Sequence, residues 1–338
     1  MLSYLMGRTN PIWETEMNEY TKILHLMGTK ISLYIKGERA AAMAKLAEEM
    51  LIHYNKIFSA NSDHSQLAML KRNAAFAPQK VDDELYDLIK IGKQHSLREG
   101  SYLNIAIGPL IKLWSIGFKE AKVPDQEAIE NVLELLKPEK IQLDDDHKTV
   151  YFLEKGMELD LGAIAKGYFA DKVMALFKEQ GAVSAMVDMG GNVLVFGEPP
   201  TQGSDWKVGI QNPFLPRGNA AALVKIRNQS VVTSGIYERV LEKESRNYHH
   251  IFSSKTGYPI ENNIASLTVI ADSSLDCDIY TTELFGLDAV SIIRRVNRMK
   301  DLDAIVITVD GALACTDNLK GRLVLLPPDD TPATPASV

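Results

Sequence analysis

Seven short apolar runs crowd the second half of this chain without a helix regularly placed between them. They are Ala185 to Val187, Val193 to Phe196, Trp206 to Ile210, Ala222 to Ile226, Ser266 to Ile270, Asp303 to Val309 and Leu323 to Leu325. Runs of this length between turn-forming residues predict strands. A doubly wound parallel sheet needs a crossover helix between successive strands, whereas here the strands come in clusters. The pattern predicts an α+β fold with mixed or antiparallel sheets and packed helices.

The first half supplies most of the helices. Ile23 to Ile35 alternates apolar and polar residues and breaks at Met27-Gly28-Thr29, which predicts a strand or hairpin. From Glu38 to Phe58, Met43, Leu46, Met50, Tyr54 and Ile57 recur at helical spacing. Asp82-Asp83 can cap a helix through Leu85, Leu88 and Ile89 that Gly100 ends, and Asp125 opens another through Leu136 that Pro138 stops. Ile141 to Leu143 and Val150 to Leu153 predict a hairpin around Asp144-Asp145-Asp146, and a helix follows from about Ile164 to Glu179, closed by Gly181. No repeat of about 20–50 residues and no Pro/Gly linker divides the chain. The expectation is one compact domain over residues 22–326, with an N-terminal extension (1–21) and a Pro/Thr/Ser-rich disordered tail (327–338).

Charge narrows the function classes. Acidic residues outnumber basic ones by 44 to 37, giving net charge −7, and no Lys/Arg block appears, so no nucleic-acid partner is expected. Cys277 and Cys315 allow a single disulfide without demanding one, and no C-x-x-C pair suggests structural zinc. Apolar runs such as Ala304 to Val309 fall far short of the ~20 residues that span a bilayer, so no transmembrane segment is expected. The N-terminus has no sustained apolar stretch and no early cysteine for a lipid. A cytoplasmic location is the expectation for the chain as it reads, with the outer face of the cytoplasmic membrane as the alternative had a leader been removed.

A P-loop, G-x-G-x-x-G, H-E-x-x-H and G-x-S-x-G are all absent. Four polar clusters remain, each with a functional and a structural reading. In Glu158-Leu-Asp160-Leu-Gly-Ala-Ile-Ala-Lys166-Gly167-Tyr168, a strand-like run feeds a small-residue turn and a helix start, which can receive an anion beside Lys166; alternatively Asp160 is a cap and the glycines serve packing. Val187-Asp188-Met-Gly190-Gly191-Asn192 reads first as a hairpin turn. Thr233-Ser234-Gly235-Ile-Tyr237-Glu238-Arg239 and Tyr248-His249-His250-Ile251-Phe252 gather hydroxyls and a His pair between strands, with His250 a candidate general base. In Asp276-Cys-Asp278-Ile-Tyr-Thr281-Thr282-Glu283, Asp278 and Thr282 share a helix face, which suits Mg²⁺ or Ca²⁺; alternatively Asp276 or Asp278 is a helix cap with no metal.

Together these clusters resemble the ApbE family of FAD:protein FMN transferases, from about Leu24 to Leu325. The resemblance rests on Met27-Gly28-Thr29, on Phe58-Ser59 with Asp63 and Ser65, and on Gly108-Pro109-Leu110 with Leu113-Trp114. It continues through Asp160 to Tyr168, Val187 to Asn192, Trp206 to Ile210, Thr233 to Arg239, His249 to Pro259 and the Asp278…Thr282 pair. Such a family implies a Mg²⁺-dependent enzyme (Mn²⁺ being an alternative ion) that cleaves the pyrophosphate of its substrate FAD. FMN passes to a threonine of an acceptor flavoprotein as a phosphoester, and AMP leaves. The resemblance further implies an exposed acceptor motif, Asp-x-(Ser/Thr)-(Gly/Ser/Ala)-Ala-Thr.

Residue by residue, the resemblance makes Asp278 and Thr282 side-chain metal ligands with Thr281 alongside, and Ala163 a ligand through its backbone carbonyl. Met27, Asn61, Tyr102, Leu103, Asn104, Asp160, Lys166 and Phe252 match positions around FAD. His250 matches the histidine beside the transferred phosphate, with Asp160 as the reserve base. Four positions depart from the family pattern. Ser253-Ser254 replaces an Asp-Pro pair, Asn104 replaces an aspartate, and Asn61 stands where an aromatic is common. Asparagine at that last position fits members that hydrolyse FAD to FMN and AMP, so FAD hydrolysis is the alternative reaction, and non-catalytic flavin binding the alternative class.

Overall fold

The computed structural model describes residues 18–60, 62–201, 203–243 and 246–327. The chain opens with the expected hairpin. Asn18–Leu26 pairs antiparallel with Thr29–Gly37, and Leu26 lies opposite Thr29, leaving a two-residue turn at Met27-Gly28. Both turn residues are left-handed (φ 54° and 72°), as a two-residue connection between twisted strands requires. The first strand begins at Asn18, within the stretch read as an N-terminal extension.

That hairpin starts an eight-stranded sheet whose strands follow chain order. After the first two come Ser184–Met189, Val193–Phe196, Ser230–Gly235, Ile264–Ala271, Leu302–Thr308 and Leu313–Cys315. Every neighbouring pair is antiparallel. The sheet is thus one antiparallel run from which the chain departs and returns, and those departures build the site. The longest, between the second and third strands, holds α1 (Ala40–Phe58), α2 (Gln66–Asn73), α3 (Asp83–Ser96), α4 (Gly108–Trp114), α5 (Gln126–Leu133) and α6 (Ala165–Glu179). The departure between the sixth and seventh strands holds α7 (Ser274–Glu283) and α8 (Ala289–Val296). A hairpin of Val240–Lys243 and Arg246–His249, paired only with itself, lies between the fifth and sixth strands.

Alternation along the second strand decides what covers each face of the sheet. Ile31, Leu33 and Ile35 bury against Met43, Ala47 and Leu51 of α1 and Phe169, Val173 and Phe177 of α6. Tyr34 points to the other face and meets Trp206 edge-on at 5.9 Å, within a cluster that includes Ala222, Val224 and Ile226 of the separate strand Ala220–Ile226. Leu267, Val269, Ala304 and Val306 pack beneath Phe285 and Ile292 of the α7–α8 region. The mixed architecture of helices and antiparallel sheets is the α+β class expected.

Several boundaries differ from expectation. Leu46 is 39% exposed because the buried stripe of α1 passes through Ala44, Ala47 and Leu51. Helix α3 stops at Ser96, before Gly100, and α5 at Leu133, before Pro138. The hydroxyl-rich Thr233-Ser234-Gly235 is the end of the fifth strand, since Ser230 to Gly235 pairs in full with the sixth. Helix α7 is capped by Ser273, whose hydroxyl accepts from the Asp276 amide (3.1 Å), not by Asp276 or Asp278. Asp160 caps no helix: α6 begins after Ile164 without a side-chain cap. Cys277 and Cys315 are both free thiols. Among the described residues no helix is long and apolar enough to cross a membrane. Asn61 and residues 328–338 of the tail lie outside the described residues.

Candidate active site

Backbone bonds between the departures bring the sequence clusters together. The Tyr102 amide donates to the Glu283 carbonyl at the end of α7 (3.1 Å), and the Asp160 amide donates to the Ile105 carbonyl (2.9 Å). Segment 102–105 thus joins the Asp160 turn to α7. The Gly190-Gly191 turn lies against the first hairpin so closely that a Cβ on Gly190 would overlap Thr29 Oγ1.

Helices α6 and α7 meet at Gly167. A Cβ there would overlap the Ser274 carbonyl, so the first turn of α7 rests on bare backbone. The Gly167 amide donates to Asp278 Oδ2 (2.6 Å). In a regular helix it would donate to Ala163, four residues back. Among the described residues the Ala163 carbonyl therefore accepts no hydrogen bond. Asp278 Oδ1 accepts from Asn192 Nδ2 (2.8 Å). The Thr281 and Thr282 hydroxyls donate back to the Asp278 carbonyl (2.9 and 3.3 Å), and each hydroxyl oxygen keeps acceptor capacity. Burial pushes the Asp278 carboxyl above its ordinary range, opposed by Lys166, Asn192 and the Gly167 amide.

Both ends of α7 are pinned. Asp171 of α6 accepts from Ser273 Oγ (2.8 Å), the Ser274 amide (2.8 Å) and the Leu275 amide (2.9 Å). At the other end the buried Glu283 carboxylate meets His95 Nδ1 at 3.0 Å, with Arg98 and Arg295 each at 3.7 Å. Sequence reading gave none of Asp171, Asn192 and His95 a site role. Each acts through a long-range partner, and nothing in its local spacing marks that partner.

The His pair separates into two roles. His249 bonds the Ile260 carbonyl through Nε2 (2.9 Å) and accepts from the Ile251 amide at Nδ1 (3.2 Å), so both ring nitrogens are used. His250 Nδ1 is buried with no hydrogen-bond partner among the described residues. Burial pulls the His250 pKa down to about 4; the positive charges of Arg239, His249 and Lys166 add to the shift, and the Arg239 backbone carbonyl opposes it. At neutral pH this ring is uncharged, so one of its two nitrogens keeps a lone pair, as a base requires. Asp160 Oδ1 accepts from the Gly162 amide (2.8 Å); burial raises its carboxyl and Arg239 opposes the rise. Arg239, quoted in a motif without a role, is thus charged company to both candidate bases.

The remaining positions divide between surface and core. Met27 sits half-buried in its left-handed turn. The Tyr102 ring covers Gly286, whose Cβ would overlap it, and Lys255 lies 5.6 Å from the ring centroid. Leu103 is in the main core, and Phe252 is 4% exposed and packs on Trp114 with centroids 5.6 Å apart, so both side chains stand behind the site wall. Asn104 donates to the Leu136 carbonyl (2.9 Å) and accepts from the Ala106 amide (2.8 Å). An ionised aspartate there would lack the first bond. Ser253 Oγ accepts from the Lys255 and Thr256 amides (3.3 Å each), taking the turn-closing role open to a carboxylate at that position.

Among the described residues no three His, Cys, Asp or Glu side chains gather to hold a metal ion. A cation here would depend on the Asp278 carboxylate, the Thr281 and Thr282 hydroxyls and the unpaired Ala163 carbonyl. That set is all hard oxygen with one negative charge, and it fits Mg²⁺, which takes one or two carboxylates and completes its shell with water and phosphate.

Comparison with known proteins finds relatives along most of the chain. The model of the ApbE family matches residues 27–306. An FAD:protein FMN transferase of Klebsiella pneumoniae is 38% identical over 283 residues, covering 84% of this chain and 87% of its own. One from Treponema pallidum is 33% identical over 326 residues, covering 92% and 90%. Among solved structures, an ApbE protein of Thermotoga maritima superposes with TM-score 0.82 at 24% identity, over 90% of this chain and 99% of its own. The apo flavinyl transferase ApbE of Pseudomonas stutzeri gives 0.78 at 23%, over 90% and 97%.

Proposed function

The chain belongs to the ApbE family, and from that premise we propose how its site performs the family reaction. The protein is a transferase that moves FMN from FAD to an acceptor flavoprotein. Our reading of the chemistry is that an acceptor threonine oxygen attacks the FMN-side phosphorus, the pyrophosphate P–O bond breaks, and AMP leaves. His250 takes the hydroxyl proton. The observation that carries this assignment is a ring held neutral whose Nδ1 no described residue uses, next to a histidine whose nitrogens are both occupied. A base within hydrogen-bond reach contributes ~10²–10⁴ in rate, and an unactivated threonine needs that help.

Lys166 and Arg239 bring positive charge near His250, where charge would develop on the breaking pyrophosphate. Asp278, Thr281, Thr282 and the Ala163 carbonyl would hold Mg²⁺, with Mn²⁺ as a substitute. A divalent ion bound there would supply Lewis-acid stabilisation of the phosphate charge. Met27, Tyr102, Asp160 and Lys166 would line the FAD site, with Leu103, Asn104 and Phe252 fixing its wall from behind. The acceptor would present its threonine within an exposed Asp-x-(Ser/Thr)-(Gly/Ser/Ala)-Ala-Thr loop.

The test is mass spectrometry of a domain carrying that motif after incubation with this protein, FAD and Mg²⁺. An FMN-sized mass gain on the threonine, with one AMP released per FMN transferred, is expected. Metal-dependent AMP release with no mass gain would make the protein an FAD hydrolase and return the weight to Asn61.

A further inference from the structure

Two donors hold the Asp278 carboxylate, one to each oxygen: the Gly167 amide at 2.6 Å and Asn192 Nδ2 at 2.8 Å. A carboxylate offers about four lone-pair directions, so two are taken by protein and two remain. Gly167 donates through backbone fixed by helix packing. Asn192 is the one side chain among the described residues that bonds the carboxylate, and both it and Asp278 are only 3% exposed.

Asn192 does not owe its place to the hairpin. The turn closes through the Met189 amide to the Asn192 carbonyl (3.0 Å) and the Gly191 amide to Asp188 Oδ1 (2.8 Å). Neither bond uses an atom of the Asn192 side chain, whose sole hydrogen bond among the described residues goes to Asp278. A buried amide with that single use serves the carboxylate. Its chemistry also matters: an amide donates without bringing a second negative charge into a buried site, which an aspartate would do.

We infer that Asn192 is a positioning residue of the cation site, holding the Asp278 carboxylate in the rotation that leaves its free lone pairs for a divalent ion. This rests on the proposed cation role of Asp278. The turn carrying Asn192 also abuts Thr29, beside Met27, so the element that orients the carboxylate braces the turn proposed to line the FAD site. Groups that orient a metal ligand in this way change metal affinity by ~10–100-fold when removed.

The test uses the full chain without FAD and Mn²⁺ as a spectroscopic probe, its binding followed by electron paramagnetic resonance. Asn192→Ala and Asn192→Leu are compared with wild type and Asp278→Ala, all checked for the same cooperative melting without metal. Leucine fills the space of asparagine but cannot donate, so it separates packing from hydrogen bonding. Both Asn192 variants are expected to bind Mn²⁺ ~10–100-fold more weakly, with a raised KM for Mg²⁺ and a kcat that recovers at saturating metal. Wild-type Mn²⁺ affinity in Asn192→Leu, with binding lost in Asp278→Ala, would overturn the inference and leave the cation site standing. Wild-type Mn²⁺ binding in Asp278→Ala would overturn the cation site itself and the inference with it.

Discussion

Asp278 and His250 both feel the charge of Lys166 and stand under opposite regimes of hydrogen bonding. Around Asp278 each carboxylate oxygen has a donor, the helix that carries it is pinned at both ends, and the neighbouring helix crosses it on bare glycine backbone. Around His250, among the described residues, the ring nitrogen Nδ1 has no hydrogen-bond partner, and the segment carrying it includes a hairpin paired only with itself. A group that must place a cation gains from being over-determined, because a small displacement of a ligand weakens the whole coordination sphere. A group that must accept a proton from an incoming hydroxyl needs an unoccupied lone pair, and a protein bond there would compete with the substrate. Geometric precision is built into the first, and chemical availability into the second.

Breaking the pinned half should have the largest effect. Asp278→Ala is expected to lower FMN transfer ~10³-fold, the loss of about 4 kcal/mol of transition-state stabilisation, measured as the initial rate of acceptor labelling. Gly167→Ala should force α6 and α7 apart, because the new Cβ would overlap backbone and not a movable side chain. Overpacking of that kind costs ~1–3 kcal/mol, read from denaturant unfolding, and Mn²⁺ affinity should fall with it. Asp171→Ala removes three bonds at the start of α7 and should cost ~1–2 kcal/mol of stability by the same measurement, with kcat little changed at saturating metal.

The sharpest contrast between the halves lies in pH. Folding holds the His250 pKa down at about 4, below the ~6.5 of an unfolded chain. The neutral ring's contribution to stability is therefore complete above the unfolded value and is lost as pH falls toward 4. For catalysis the sign is the same: the base stays unprotonated through the mildly acidic range. At saturating FAD and metal, kcat should stay nearly flat from pH 7.5 to about 5.5, whereas an unshifted histidine would lose most of its active form by the lower value. A rate falling with a midpoint near 6.5 would contradict a base whose pKa burial holds down to about 4.

Much of this was legible in the sequence because the signals were local. Alternation at Ile23 to Ile35 with a break at Met27-Gly28-Thr29 pointed to a strand or hairpin, of which the hairpin forms, and the small-residue run before Lys166 marked the start of α6. Asp278 and Thr282 at helical spacing marked the face of α7 that meets Gly167. The order of the motifs along the chain gave the family, since one motif by itself reads equally as structure. The fifth strand was missed because Ser234-Gly235 reads as turn chemistry, while the strand that pairs with it, Ile264–Ala271, lies well downstream. Leu46 was placed on the buried face because spacing alone cannot show that alanines carry that stripe. Asn192, Asp171 and the Glu283–His95 pair were illegible as a class: each works through a contact 86 or more positions away in sequence.

Single-turnover labelling of the acceptor by His250→Ala, with FAD binding measured on the same sample, tests the division of labour most directly. FAD affinity is expected to stay within a few-fold of wild type at saturating Mg²⁺, with the transfer step slowed by ~10²–10⁴. Transfer at the wild-type rate, or loss of FAD binding with an unchanged transfer step, would contradict it.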